Sequence, residues 1–168
     1  LGNIALCQSA MGQVEEAIRS FDRALSLARE TGQKKEEADW HKGKGAALLS
    51  LGKYDLARQE YRLALDAYEQ GGLKRELVEA LNDEGNLLVQ LGDVASAERA
   101  FRRAMELARA IGHPRGVTAN LMALGEVEFR RKRFEQASSL YRQAFERARE
   151  SGDQAAMTAS LSQLALAL

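Results

Sequence analysis

The sequence has few of the residues that build disulfide, metal or membrane sites. It contains one cysteine and two histidines among 168 residues, which excludes an internal disulfide framework. A lone cysteine favours a reduced, cytoplasmic setting, and we expect Cys7 to be a small core residue because its repeat counterparts are apolar. Apolar runs stay well below the roughly 18–20 residues of a membrane span.

Proline is also scarce, with one in the chain, so helices can form with little interruption. Alanine, leucine, glutamate, arginine and glutamine are abundant, which favours helix. No signal-peptide pattern opens the chain. Because it starts without Met and stops inside "SLSQLALAL", we expect a fragment of a longer protein.

Charge of one sign is not in excess. Lysine and arginine total 24, as do aspartate and glutamate, so no global field attracts nucleic acid or an anionic membrane, and we expect neither as a partner. The strongest local feature is the basic run Arg130–Arg133. We interpret it as a solvated turn between two helices; the alternative is a contact with an acidic peptide, a phosphate or a nucleic acid.

Small and aromatic residues recur every 40 residues along the whole chain. The recurring positions are Ala17, Ala57, Ala97 and Ala137; Phe21, Tyr61, Phe101 and Tyr141; Ala24, Ala64, Ala104 and Ala144; Gly32, Gly72, Gly112 and Gly152; Ala5, Gly45, Gly85, Gly125 and Ala165; and Gly12, Gly52 and Gly92, with Lys132 as the exception. So many positions in register indicate an array of structural repeats.

Each repeat predicts two helices joined by a short turn. The offsets of three and four predict, for example, helices over 75–91 and 94–111, with Gly85 and Ala97 at their contact and Phe101 beside them. Pro114 suits a first helical position and Asp153 a helix cap, while the recurring glycines suit left-handed helix ends. A lone helix pair cannot bury its apolar face, so the pairs must stack into an all-α solenoid.

The pattern Leu81…Gly85…Leu88…Gly92-Asp93-Val94…Ala97…Phe101…Ala104 resembles the tetratricopeptide repeat. The unit is 40 residues instead of about 34, which is similar to the repeats of kinesin light chains, Pins-type adaptors and bacterial peptide-responsive regulators. The resemblance implies one right-handed α-solenoid domain over residues 1–168. We expect units near 1–32, 33–72, 73–112 and 113–152, with a partial unit at 153–168.

The sequence favours no enzyme and no cofactor. Lys44 and Lys53 lie near glycines, but the spacing matches neither a phosphate-binding loop nor a dinucleotide fingerprint, and we expect both lysines to be solvated. His41 and His113 lack ligands at metal-binding spacing, so no metal is expected, and His41 is interpreted as a packing or partly exposed residue. No catalytic residues are assigned.

In tetratricopeptide arrays the first helix of each unit lines a concave groove that usually binds peptides. Carried over by repeat position, the resemblance implies a mixed apolar and amide-rich groove in this chain. Its predicted residues are Lys42, Leu49, Asn82, Asn86, Val89, Gln90, Met122, Glu126, Phe129 and Arg130.

Two functions follow as hypotheses. The first is a protein-interaction scaffold that binds a peptide or helical segment of a protein partner in the groove. The second is a ligand-sensing or peptide-sensing regulatory domain that controls an effector domain outside this chain. A separate prediction is self-association through the C-terminal helix, where Leu161, Leu164, Ala165 and Leu168 share one apolar stripe.

Overall fold

The computed structural model describes residues 1–167, and these residues form nine α-helices joined by short turns. The helices are α1 (Gly2–Ala10), α2 (Val14–Glu30), α3 (Lys34–Ser50), α4 (Tyr54–Gln70), α5 (Lys74–Gln90), α6 (Val94–Ala110), α7 (Pro114–Arg130), α8 (Phe134–Ser151) and α9 (Gln154–Ala167). The predicted bounds of α5 and α6 agree to within one residue.

The chain divides into two compact units, Leu1–Asp83 and Glu84–Leu168. In the first unit consecutive helices pack together from α1 to α4, and in the second from α6 to α9. The predicted alanines are fully buried at the interfaces of paired helices: Ala17, Ala57, Ala97 and Ala137 are each 0% exposed. The boundaries of the 40-residue units, and their grouping into one domain, stay a prediction.

Glycine and aromatic residues 16 positions apart bring paired helices close. A Cβ atom added at Gly125 would lie 2.5 Å from the Tyr141 ring, and one at Gly45 would lie 3.1 Å from the Tyr61 ring. The sequence predicted that this glycine packs against the recurring alanine of the second helix, whereas the structure shows that the aromatic ring itself covers the glycine. Small residues are needed here because the ring fills the space of a side chain.

The turns confirm the predicted helix ends. Pro114 begins α7, and the carboxylates of Asp93 and Asp153 accept hydrogen bonds from the backbone N–H groups of Ser96 and Ala156, each at 3.0 Å. The recurring turn position is left-handed throughout, with φ between 62° and 78° at Gly12, Gly32, Gly52, Gly72, Gly92, Gly112 and Gly152. Lys132 takes the same conformation, with φ at 60°.

Cys7 corrects one prediction, because it is exposed instead of buried. Its repeat counterparts Ala47 and Val127 are fully buried. Ala47 is buried because it packs against Ala17 and Phe21 of the preceding helix α2. Helix α1 packs on α2 and α3 alone among the described residues, so nothing covers the equivalent side of Cys7.

Helix α9 agrees in part with the predicted apolar stripe. Leu161 is 49% exposed, and Ala165 is also exposed. Leu164 instead packs against the cluster that contains Ala137 and Tyr141 of α8. Leu168 lies outside the described residues. The exposed apolar surface of α9 is therefore smaller than predicted, although Leu166 adds to it at 68% exposed.

Candidate peptide-binding faces

The residues predicted to bind a peptide lie on first helices, and they form two sets. We call them the α3/α5 face and the α5/α7 face. The α3/α5 face of the first unit contains Lys42, Leu49 and Asn82. The α5/α7 face of the second unit contains Asn86, Gln90, Met122, Glu126, Phe129 and Arg130.

Lys42 is the one charged residue among the predicted residues of the α3/α5 face, and it is paired with an acid. Its Nζ atom lies 3.0 Å from Oε2 of Glu79, and its side chain is 24% exposed. The Asn82 amide donates to the backbone oxygen of Val78 at 3.1 Å, one turn earlier in the same helix, so its carbonyl oxygen is the part left to accept from a ligand. Leu49 is half-buried.

Asp83 belongs to the surroundings of Lys42 and was missed by the sequence reasoning. Burial raises the pKa of the Asp83 carboxyl, Lys42 opposes that rise, and Glu79 adds to it. The signal was present in the repeat, because Gly43 and Ala123 occupy the equivalent positions. An acid among small uncharged counterparts marks a departure from the repeat.

The α5/α7 face presents two exposed amides on α5, Asn86 and Gln90. Val89, predicted to lie beside them, corrects the groove assignment. It is only 7% exposed and belongs to a core cluster with Phe101 of α6 and Val127 of α7. Its side chain holds helices together, so it is unavailable to a partner.

The α7 part of this face combines an ion pair with apolar side chains. Glu126 and Arg130 pair at 2.7 Å between carboxylate and guanidinium. Phe129 packs edge-on against Phe134, with ring centroids 5.3 Å apart and an interplanar angle of 69°. Met122 is half-buried. Paired charges and partly covered apolar groups together give a surface that suits a mixed peptide rather than a strongly charged one.

A buried phenol lies beneath this face. The Tyr141 hydroxyl is buried and has no hydrogen-bond partner within bonding geometry. Burial raises the pKa of Tyr141 to about 12, and the nearby Glu126 carboxylate adds to the rise. The hydroxyl therefore stays protonated at neutral pH.

Two arginines of the basic run pair with acids of their own unit. Arg131 pairs with Glu98 at 2.6 Å and with Glu128 at 3.1 Å, while Arg133 pairs with Glu128 at 3.2 Å. The Arg131 hydrogen bond holds the pKa of Glu98 below its ordinary value although burial opposes it. The run lies at the turn between α7 and α8, as predicted.

A polar cluster in the first unit replaces the predicted solvation of Lys44. The Lys44 side chain is only 18% exposed, and its Nζ atom lies 2.7 Å from Asp22 and 2.8 Å from Glu60. The exposed Lys53 is solvated as predicted. Lys44 therefore joins three helices, α2, α3 and α4, rather than facing solvent or a phosphate.

His41 completes this cluster and is 5% exposed. Its Nδ1 atom lies 2.6 Å from Oε2 of Glu60, and its Nε2 atom lies 3.2 Å from Nη2 of Arg29. Arg29 can only donate, so Nε2 is the acceptor in this contact and Nδ1–H donates to Glu60. Burial alone would raise the pKa of Glu60, but the hydrogen bonds from His41 and Lys44 outweigh it and lower that pKa.

No set of three or more His, Cys, Asp or Glu side chains converges in metal-binding geometry within residues 1–167. In the same part of the chain, no helix has the length and apolar character to cross a membrane. The polar groups of the two faces are amides and paired charges, which can form hydrogen bonds with a ligand.

The sequence matches a known family of repeat proteins. The tetratricopeptide-repeat model matches residues 1–70, 37–110 and 76–150. The chain therefore belongs to the tetratricopeptide-repeat family, and its fold class is the all-α solenoid of stacked helix pairs. Repeats of this kind are typically non-catalytic scaffolds. A search of curated proteins gave no significant match.

Three solved structures illustrate the similarity of fold. BtubC from P. vanneervenii is 17% identical, with a TM-score of 0.86 over 97% of this chain and 68% of its own. Aspartyl phosphate phosphatase F from Bacillus subtilis is 13% identical, with a TM-score of 0.92 over 99% of this chain and 44% of its own. A putative kinesin light chain from Podosopora anserina is 14% identical, with a TM-score of 0.78 over 99% of this chain and 82% of its own.

Proposed function

We propose that this chain is a non-catalytic, cytoplasmic protein-interaction scaffold that binds a peptide or helical segment of a partner protein on its first-helix faces. The family and the structural neighbours support the coarser function, a protein-interaction or regulatory scaffold. The finer assignment rests on the α5/α7 face, where the exposed amides of Asn86 and Gln90 lie in the same unit as the half-buried Met122 and Phe129.

The chemistry of this face fits an extended or helical peptide. Amide side chains both donate and accept, so they can pair with a peptide backbone without selecting one charge. Partly exposed apolar side chains can hold alternate side chains of the ligand. The ion pair of Glu126 with Arg130 adds polar contacts at low net charge.

The α3/α5 face supplies a different contact. Lys42 is paired with Glu79 and lies within the field of Asp83. One cation shared by two acids leaves this surface mildly acidic, which favours a neutral or basic segment of the partner. The two faces therefore differ in the charge of the partner segment that they favour.

A displayed random-peptide library selected on the chain tests the proposal. Peptides recovered from it should bind at least tenfold more weakly to the variant Asn86→Arg with Gln90→Arg. The matched control is Gln136→Arg with Gln143→Arg, which makes the same chemical change at two exposed glutamines of the second helix α8. If the α8 pair weakens binding and the α5 pair does not, the site lies elsewhere.

A sensing role is the second candidate, and it is favoured by one observation. Structures similar in fold include RapI and a signal transduction ATPase with a tetratricopeptide-repeat sensor, and this chain covers only 45% and 26% of those chains. If this chain senses a ligand, a selected peptide should slow amide hydrogen exchange in helices beyond those that it contacts. Protection confined to the contacted helices argues for the scaffold alone.

Self-association through α9 is a further part of the proposal. Leu161 and Leu166 are 49% and 68% exposed. Burying such apolar area contributes roughly 25 cal/mol per Å². Light scattering across a concentration series should show association that Leu161→Lys with Leu166→Lys removes, whereas Ser162→Lys at an exposed position of the same helix should not. A strict monomer at high concentration contradicts this part.

A further inference from the structure

Helices α6, α7 and α8 of the second unit enclose a crevice of about 320 Å³ that no part of the proposed peptide-binding faces uses. Its floor is apolar, with Ala108 fully buried and Val117 only 8% exposed. Arg109 at the end of α6 and Arg147 of α8 supply its cationic lining residues, and His113 also lines it. Pro114 at the start of α7 closes one side.

The first unit contains the equivalent crevice 80 residues earlier, and there the arginine is neutralised. Arg29 is the counterpart of Arg109, and its Nε atom lies 2.8 Å from Oε1 of Glu37. That crevice is lined by Arg29, Glu37 and Ala67, among others. Its two lining cations, Arg29 and Lys34, are therefore both already paired with Glu37 within the protein.

Two residues that differ between the repeats give the crevice of the second unit a net positive charge. Val117 occupies the position of Glu37, so α7 presents an apolar side chain where α3 presents a carboxylate. Arg147 occupies the position of Ala67, so α8 adds a second guanidinium. Arg147 pairs with Glu150, with nitrogen and oxygen 3.7 Å apart and both side chains more than 60% exposed. An exposed pair at that distance contributes little.

We infer that this crevice is a phosphate-binding site, formed by Arg109 and Arg147 over the apolar floor of Val117. Two guanidinium groups match the charge of a phosphate monoester near neutral pH, and each can donate two parallel hydrogen bonds to its oxygens. The volume admits a phosphate with the carbon chain that carries it, and the floor gives that chain an apolar contact. The ligand is a free phosphate monoester or a phosphorylated side chain, which share this chemistry.

The test uses the isotope-labelled chain and amide chemical shifts during titration with inorganic phosphate, acetate or sodium chloride at matched ionic strength. We expect saturable shifts in residues 108–117 with phosphate, and at least tenfold weaker binding of acetate. Equal responses to the three salts would overturn the inference, because they would show only screening of surface charge.

Variants separate the site from general positive charge. Arg109→Gln with Arg147→Gln should abolish the saturable shifts, whereas Arg99→Gln with Arg142→Gln, at exposed positions of the same two helices, should leave them unchanged. Val117→Glu, which restores the acid of the first unit, should also remove binding while both arginines remain. Circular dichroism verifies that each variant folds. Binding that survives in the Arg109 and Arg147 double variant would overturn the inference.

A comparison of a phosphoserine peptide with inorganic phosphate distinguishes a phosphorylated segment from a free phosphate monoester. A short phosphoserine peptide that binds at least tenfold more tightly than inorganic phosphate, at the same residues, supports a phosphorylated segment. Equal affinity for the two supports a free phosphate monoester. A phosphoserine peptide that shifts residues only on the α3/α5 or α5/α7 face would overturn the site. Since those faces share no residue with the crevice, failure here leaves the proposed function untouched.

Discussion

The ring of Tyr141 fills the space that a side chain at Gly125 would need, with only 2.5 Å between an added Cβ atom and Cε1 of the ring. Tyr141 is 0% exposed, so the ring has no solvent side to which it can withdraw. The glycine therefore sets how closely α7 approaches α8. The same relationship links Gly45 with Tyr61 at the larger separation of 3.1 Å.

Gly125→Ala should accordingly destabilise the chain. Overpacking of a buried contact costs about 1–3 kcal/mol, and the better helix propensity of alanine returns up to about 1 kcal/mol. Gly45→Ala should cost less, because the ring of Tyr61 needs to move only a few tenths of an ångström. Urea unfolding of both variants measures the difference. A larger loss at Gly45 than at Gly125 would contradict this account of the contact.

Lys132 is the one non-glycine residue with positive φ among the described residues. A left-handed conformation costs an ordinary residue roughly 1–2 kcal/mol. Lys132→Gly should therefore raise the free energy of unfolding by about 1 kcal/mol, and Lys132→Asn by less. Lys53→Gly is the control, since φ there is −84° and glycine brings no relief. Stabilisation of equal size by both glycine variants would show that the turn conformation is not the cause.

The polar cluster of His41, Lys44 and Glu60 has an apolar equivalent in the same chain. Eighty residues later, leucine occupies all three positions: Leu121, Leu124 and Leu140. Leu121 and Leu124 are buried, and Leu140 packs against the adjoining core cluster. The backbone of the repeat therefore accommodates either a set of charged and polar side chains or a set of apolar side chains at these three positions.

Glu60→Leu alone should destabilise the chain by about 1–3 kcal/mol, because it leaves His41 and Lys44 without their shared acceptor. Changing all three, His41→Leu with Lys44→Leu and Glu60→Leu, should restore the stability or exceed it, since buried ion pairs often give way to packed leucines without loss. Thermal unfolding compares the two variants. A triple variant less stable than the single one would mean that the charges themselves are required.

Fold and site differed in how far the sequence could predict them. The recurring positions that include Ala97, Phe101 and Gly112 predicted the helix pairs and turns, because the role of each such residue depends on its spacing within one repeat. Cys7 and Val89 were misplaced because burial depends on which neighbouring helix covers a position. The partners of Lys44 were missed because ion pairs join residues on three helices, which spacing along one helix does not reveal.

Asp83 provides a prediction with a defined dependence on pH. Burial raises the pKa of its carboxyl in the folded chain, and Glu79 adds to the rise against the opposing effect of Lys42. The folded state therefore holds the Asp83 proton more tightly than the unfolded state does. Above both pKa values, the partly buried carboxylate lowers stability in full; as pH falls through the folded pKa, protonation relieves this cost.

Asp83→Asn should consequently raise the free energy of unfolding at pH 7, because the amide keeps the shape of the side chain and removes the buried charge. The advantage should shrink as pH falls and disappear below the ordinary pKa of 3.8. Glu60 gives the opposite sign, since its lowered pKa supplies stability that is lost as pH falls through the folded value. Urea unfolding between pH 3 and pH 7, with the exposed Asp66→Asn as control, measures the effect. An advantage of Asp83→Asn that stayed constant across this range would show that shape or hydrogen bonding, and not the buried charge, is responsible.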